Sequence, residues 1–157
     1  MPEAAPPAGA APDDAEDWRR RRSEDAEARA AVHERARAEE HRRARDLLAG
    51  FVAELHRRGI PPVALRAGAD GPRHRTGLQG WYLKRNGSLG VSTEGDYYVL
   101  AVVPSLRERL TGIRLQPGDP PLQVGRGARD GESVALAELL RQRLAELGGE
   151  SPEHPGH

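Results

Sequence analysis

At 157 residues the chain has room for one folded domain with flanking segments. Zero net charge, 31% charged residues and a mean hydropathy of −0.71 exclude a membrane-embedded chain and give no global pull towards nucleic acid. The absence of cysteine excludes a disulfide framework, a thiolate metal centre and a cysteine nucleophile.

Residues 1–12 (MPEAAPPAGAAP) are Pro-, Ala- and Gly-rich and read as a disordered N-terminal tail, with neither the basic nor the apolar region of a signal peptide. No run of about 18 apolar residues follows, so no membrane contact is expected and the cytoplasm is the default compartment. After Pro12, Asp13, Asp14, Glu16 and Asp17 suit the first turn of a helix dipole. Residues 13–46 then predict a charged, Ala/Arg-rich projecting helix, with Asp25/Arg29 and Glu39/Arg43 at i, i+4. Leu47, Leu48, Phe51, Val52 and Leu55 form an apolar stripe that must pack on something. Gly59 and Pro61-Pro62 end the helix, and residues 47–148 read as a single α+β domain.

A β region follows. Val63-Ala64-Leu65 predicts a short strand beside a meander of 78–84, 89–92 and 97–103. Asn86-Gly87 marks the hairpin, both positions accepting positive φ, and Glu94-Gly95-Asp96 marks the next turn. The apolar run Tyr97–Val103 reads as a strand covered on both faces, which calls for helices on opposite faces or a partner subunit. Ser105-Leu-Arg-Glu108 has capping-box spacing for a helix ending near Gly112. Ile113 and Leu115 alternate with polar residues, and Leu122–Val124 predicts another short strand. Ser133 is expected to cap a helix running to Leu147, before a disordered tail at 149–157. The fold class is therefore α+β: a long N-terminal helix, a small mainly antiparallel sheet and a C-terminal helix.

Trp81-Tyr82-Leu83 resembles the tripeptide that names the WYL ligand-sensing domain, over residues 78–104 at most. The arginine-rich strand with which that family binds nucleotide-like effectors is replaced here by Tyr97-Tyr98-Val99-Leu100, so the resemblance transfers no site residue.

Charge is unevenly distributed. Residues 1–50 are net −2, residues 51–90 net +5 and residues 91–157 net −3. In a flat meander Arg57 and Arg58 would meet Lys84 and Arg85 at the hairpin tip, joined by Arg107 and Arg109. Arg73-His74-Arg75 would fall at the opposite end, facing Glu94 and Asp96. Trp81 and Tyr82 would offer stacking surface for an anionic or nucleic-acid ligand, against the alternative that they pack inward. His33-Glu34 lacks the second imidazole of a zinc motif, because position 37 is arginine. The glycine loop 125–131 departs from G-x-G-x-x-G, and no G-x-S-x-G occurs.

No catalytic residues, metal ligands or cofactor are therefore assigned. The first reading is a non-catalytic interaction or accessory module that uses its helix or sheet face to bind a protein partner or itself as a homodimer. The alternative is binding of nucleic acid or an anionic ligand at the hairpin-tip cluster.

Overall fold

A computed structural model describes residues 11–125 and 133–149. Most of both expected tails and nearly all of the glycine loop lie outside the described residues.

Helix α1 spans Pro12–Arg57, with Asp13 and Asp14 in its first turn. It ends where Gly59 turns to φ 71, donating its N–H to His56 O while the Ile60 N–H reaches Leu55 O, each at 3.0 Å. This paired closure is the Schellman motif that glycine permits. The chain divides into two compact units, residues 1–39 and 40–157. The described part of the first is helix with almost every residue exposed, held by local pairs such as Arg20–Asp17 at 3.4 Å. There the Arg22 guanidinium lies 5.1 Å from the centre of the Trp18 ring.

In the second unit, β1 (Val63–Ala67), β2 (His74–Tyr82), β3 (Leu89–Ser92) and β4 (Tyr97–Val99) form an antiparallel sheet in sequential order. The Asn86-Gly87 hairpin is present, but Asn86 does not take positive φ. Gly87 alone does, at φ 75, donating to Lys84 O at 3.0 Å, while Asn86 Oδ1 accepts from the Ser88 N–H at 2.9 Å. The side chain of Asn86 organises this turn and its backbone need not be left-handed. The second turn is held by Ser92, whose Oγ accepts from the Asp96 N–H at 3.1 Å.

The six-residue α2 (Leu106–Thr111) carries the expected capping box: Ser105 Oγ accepts from the Glu108 N–H, and Glu108 Oε1 from the Ser105 N–H. Residues 113–116 form no strand, although Ile113 is buried and donates its N–H to Arg75 O at 2.8 Å. Ser133 does not cap a helix. It opens a strand, β6 (Ser133–Ala135), which pairs with β5 (Gln123–Gly125), and α3 runs Leu136–Gly149.

Two apolar clusters hold this unit together. In the first, Leu48, Phe51 and Leu55 of α1 and Leu136 and Leu140 of α3 cover Trp81 and Val91 on one face of the sheet. Each fully buried leucine contributes about 1.5–3 kcal/mol relative to an exposed one. The packed part of α1 begins before residue 47, since Ala44 is fully buried and Glu40 Oε2 accepts the Leu122 N–H at 3.3 Å. The two helices thus share one face.

The other face is covered by the sheet itself. It coils until the Gly68 N–H, after β1, reaches Leu100 O, after β4, at 2.8 Å. That coil encloses Leu65, Ala67, Tyr98, Leu100 and Ile113. Gly90 lies on this concave side: a Cβ there would fall 2.9 Å from Leu100 Cδ1 and 3.3 Å from Leu65 Cδ1. The β3–β4 register carries on to Leu100, whose N–H meets Ser88 O, while its carbonyl accepts the closing bond from Gly68. Val99 and Val103 are exposed, so the run 97–103 is not covered on both faces.

Among the described residues no helix is long and apolar enough to cross a membrane.

Candidate functional site

The basic residues expected at the hairpin tip separate into two groups. Arg57 and Arg58, at the end of α1, both pair with Glu54, and Arg58 Nε lies 2.7 Å from Glu54 Oε2. Hydrogen bonds from Arg57 and then Arg58 hold the Glu54 carboxyl at about 2, well below the usual carboxylate range, against a smaller opposing effect of burial. At the tip, Arg85 Nε lies 3.0 Å from Glu146 Oε2 of α3, and Lys84 Nζ donates to Gly125 O at 2.9 Å. Arg143 of α3 completes this end, donating from Nε to Tyr82 O at 2.7 Å and from Nη1 to Glu146 at 3.0 Å. These cations are thus engaged by carboxylates or carbonyls.

The two aromatics face inward. Trp81 is buried edge-to-face against His56, its centroid 5.4 Å away, and donates Nε1–H to Pro61 O at 3.1 Å. Tyr82 packs on the second cluster, and its Oη accepts the Arg66 N–H at 3.0 Å.

Arg107 and Arg109 lie elsewhere, because the coil carries α2 to the start of β2. Arg107 lines an open hollow of about 820 Å³ with Arg75, Thr76, Glu108, Thr111 and Arg114. Arg109 lines a smaller one of about 300 Å³ with Asp70, His74 and Val103. Arg73 is not at the far end of the sheet as a flat meander requires. Its Nη2 donates to Gly87 O of the hairpin at 2.6 Å.

A feature absent from the sequence-based site stands beside these hollows. Helix α2 has no buried residue, and Leu106 and Leu110, one turn apart, are 79% and 84% exposed. Val103, just before its cap, is 79% exposed. The capping box was the sequence signal for this helix, but nothing local indicated which way its leucines face.

Among the described residues no group of three or more His, Asp or Glu side chains converges as a metal site. No protein-family model matches the chain, and no curated protein or solved structure matches it either.

Proposed function

We propose that this chain is a non-catalytic interaction module whose docking surface is the apolar side of α2, formed by Val103, Leu106 and Leu110. The supporting observation is a helix with both capping-box bonds made and no residue buried. A helix of six residues gains little from helix propensity in water, and clustered exposed leucines mark interaction surfaces on soluble domains. Arg107 and Arg109 rise from the same helix and Arg75 and Arg114 lie beside it, so the fitting partner is a protein segment with apolar side chains flanked by carboxylates. The hairpin tip gives the anionic-ligand alternative less support, because its cations already have partners.

A photo-crosslinking residue placed at Leu110 in the full chain tests the reading in cells. The expected result is one discrete polypeptide adduct that is lost when Leu106→Ser is added. Adducts equally abundant from a control position at Val63, another exposed apolar residue, count against it. An adduct with a second copy of the chain identifies the partner as self.

A further inference from the structure

We propose that the hollow between α2 and the start of β2 binds a phosphate-bearing anion, with Arg75, Arg107 and Arg114 as its cationic donors. The inference goes beyond the docking surface and requires none of its leucines.

The start of β2, helix α2 and the segment after it carry these arginines, and all three line the one hollow. The Ile113 N–H donates to Arg75 O at 2.8 Å, setting the segment that carries Arg114 against the first residues of β2. Helix α2, which carries Arg107, ends at Thr111, just before that segment. The backbone thus brings the residues that carry the three arginines around one hollow.

The charge balance favours an anion. Among the described residues none of the three arginine side chains has an ion-pair or hydrogen-bond partner. In contrast, Arg57 and Arg58 are committed to Glu54, Arg85 and Arg143 to Glu146, and Arg73 to main-chain carbonyls. Glu108 is the only carboxylate in the hollow's lining, and it is turned to local use. Its bond from the Ser105 backbone N–H, ahead of the Ser105 and Arg114 contributions and against burial, lowers its pKa and keeps it ionised. With Glu108 ionised the lining still carries a net positive charge of two, which favours entry of an anion.

The donor set specifies the ligand class. Thr76 Oγ1 donates to Leu65 O at 2.7 Å, and Thr111 Oγ1 to Arg107 O at 3.0 Å, so neither hydroxyl proton is available to a ligand. Recognition falls to the arginine forks, which suit multiply charged phosphate oxygens in bidentate geometry. Three forks exceed what a single carboxylate uses, whereas a diphosphate can engage all of them.

Titration of the full chain with inorganic pyrophosphate, followed by amide NMR shifts at low salt, tests the site, with citrate as a non-phosphate polyanion. The expected result is saturable shifts centred on Thr76, Gly77, Thr111 and Gly112, with affinity falling at least tenfold in R75A/R107A/R114A. A control R57A/R58A variant should keep its affinity within twofold. Single R75Q and R114Q changes at these exposed positions repeat the test if the triple variant folds poorly, each with a threefold or greater loss. Absence of saturable shifts, affinity unchanged by the arginine substitutions, or equal affinity for citrate overturns the proposal. The same arginines flank the docking surface, but pyrophosphate binding is read with no protein partner present and the Leu110 crosslink is read with all arginines intact, so the two readings can fail separately.

Discussion

Arg73 Nη2 donates to Gly87 O at 2.6 Å, joining the loop between β1 and β2 to the tip of the β2–β3 hairpin. The same nitrogen reaches Arg66 O at 2.7 Å, and Nη1 reaches Gly68 O at 3.0 Å. One partly buried guanidinium therefore joins two carbonyls at the end of β1 to the hairpin carbonyl of Gly87, which a flat sheet would hold far from them. Hydrogen bonds from a charged donor contribute about 1.5–3 kcal/mol each, though bonds sharing one side chain do not add. R73A is expected to lower unfolding free energy by about 2–4 kcal/mol in urea denaturation, and R73K to recover only part of it because an ammonium lacks the fork. A loss under about 0.5 kcal/mol, ordinary for a surface site, would show that the contact does not hold the coil.

Two glycines should respond in opposite directions to alanine. A Cβ at Gly80 would lie 1.9 Å from Val91 O, a backbone atom that cannot move without breaking the β2–β3 pairing. At Gly50, within α1, a Cβ meets nothing within 4 Å. Thermal unfolding should show G80A strongly destabilised or unfolded, and G50A more stable by about 0.5–1 kcal/mol from helix propensity.

Acid should loosen the end of α1. The Glu54 carboxyl is depressed in the folded chain, to about 2, so its stabilising contribution is complete above the unfolded value near 4.5. That contribution is lost as pH falls from there towards 2. Carboxyl NMR should place the Glu54 midpoint well below those of unpaired glutamates, and the depression should shrink at high salt or in R57A/R58A. An ordinary midpoint in the wild-type chain would mean the pair does not persist in solution.

Helix α2 should unfold locally without the rest of the domain. S105A removes a capping-box acceptor, an effect of about 1 kcal/mol, yet α2 buries nothing. Hydrogen exchange at the Arg109 and Gly112 amides, which bond to Ser105 O and Glu108 O, is expected to quicken while the global unfolding midpoint stays put. L106S/L110S should likewise leave stability within about 0.5 kcal/mol, whereas L48A or L55A, fully buried in the first cluster, should cost about 2–5 kcal/mol.

The α+β class, the sheet order and the α2 capping box were legible because each rests on local signals: an apolar stripe, turn residues and S-x-x-E spacing. The Glu54 pairing with Arg57 and Arg58 has i, i+3 and i, i+4 spacing on one helix, a local signal that the hairpin-tip placement of those arginines overlooks. Glu146 gave no such signal, because it reaches Arg85 only through the docking of α3. Ser133 misled for a physical reason: a serine suits a helix cap as readily as a strand start, and here its hydroxyl turns to Gln123 Oε1 at 3.3 Å. The relocation of Arg107 and Arg109 was illegible because it follows from the Gly68–Leu100 closure, and no sequence pattern specifies how far a sheet coils.

The sharing of one sheet face by α1 and α3 has a consequence for synthesis. Leu48 and Leu55 leave the ribosome before their cover, which includes Trp81 and Val91 and then Leu136 and Leu140. Until those residues emerge, the apolar stripe of α1 has no mate. The charged groups beside it, Glu54 with Arg57 and Arg58, keep that nascent helix hydrated and slow its association with other unfinished chains.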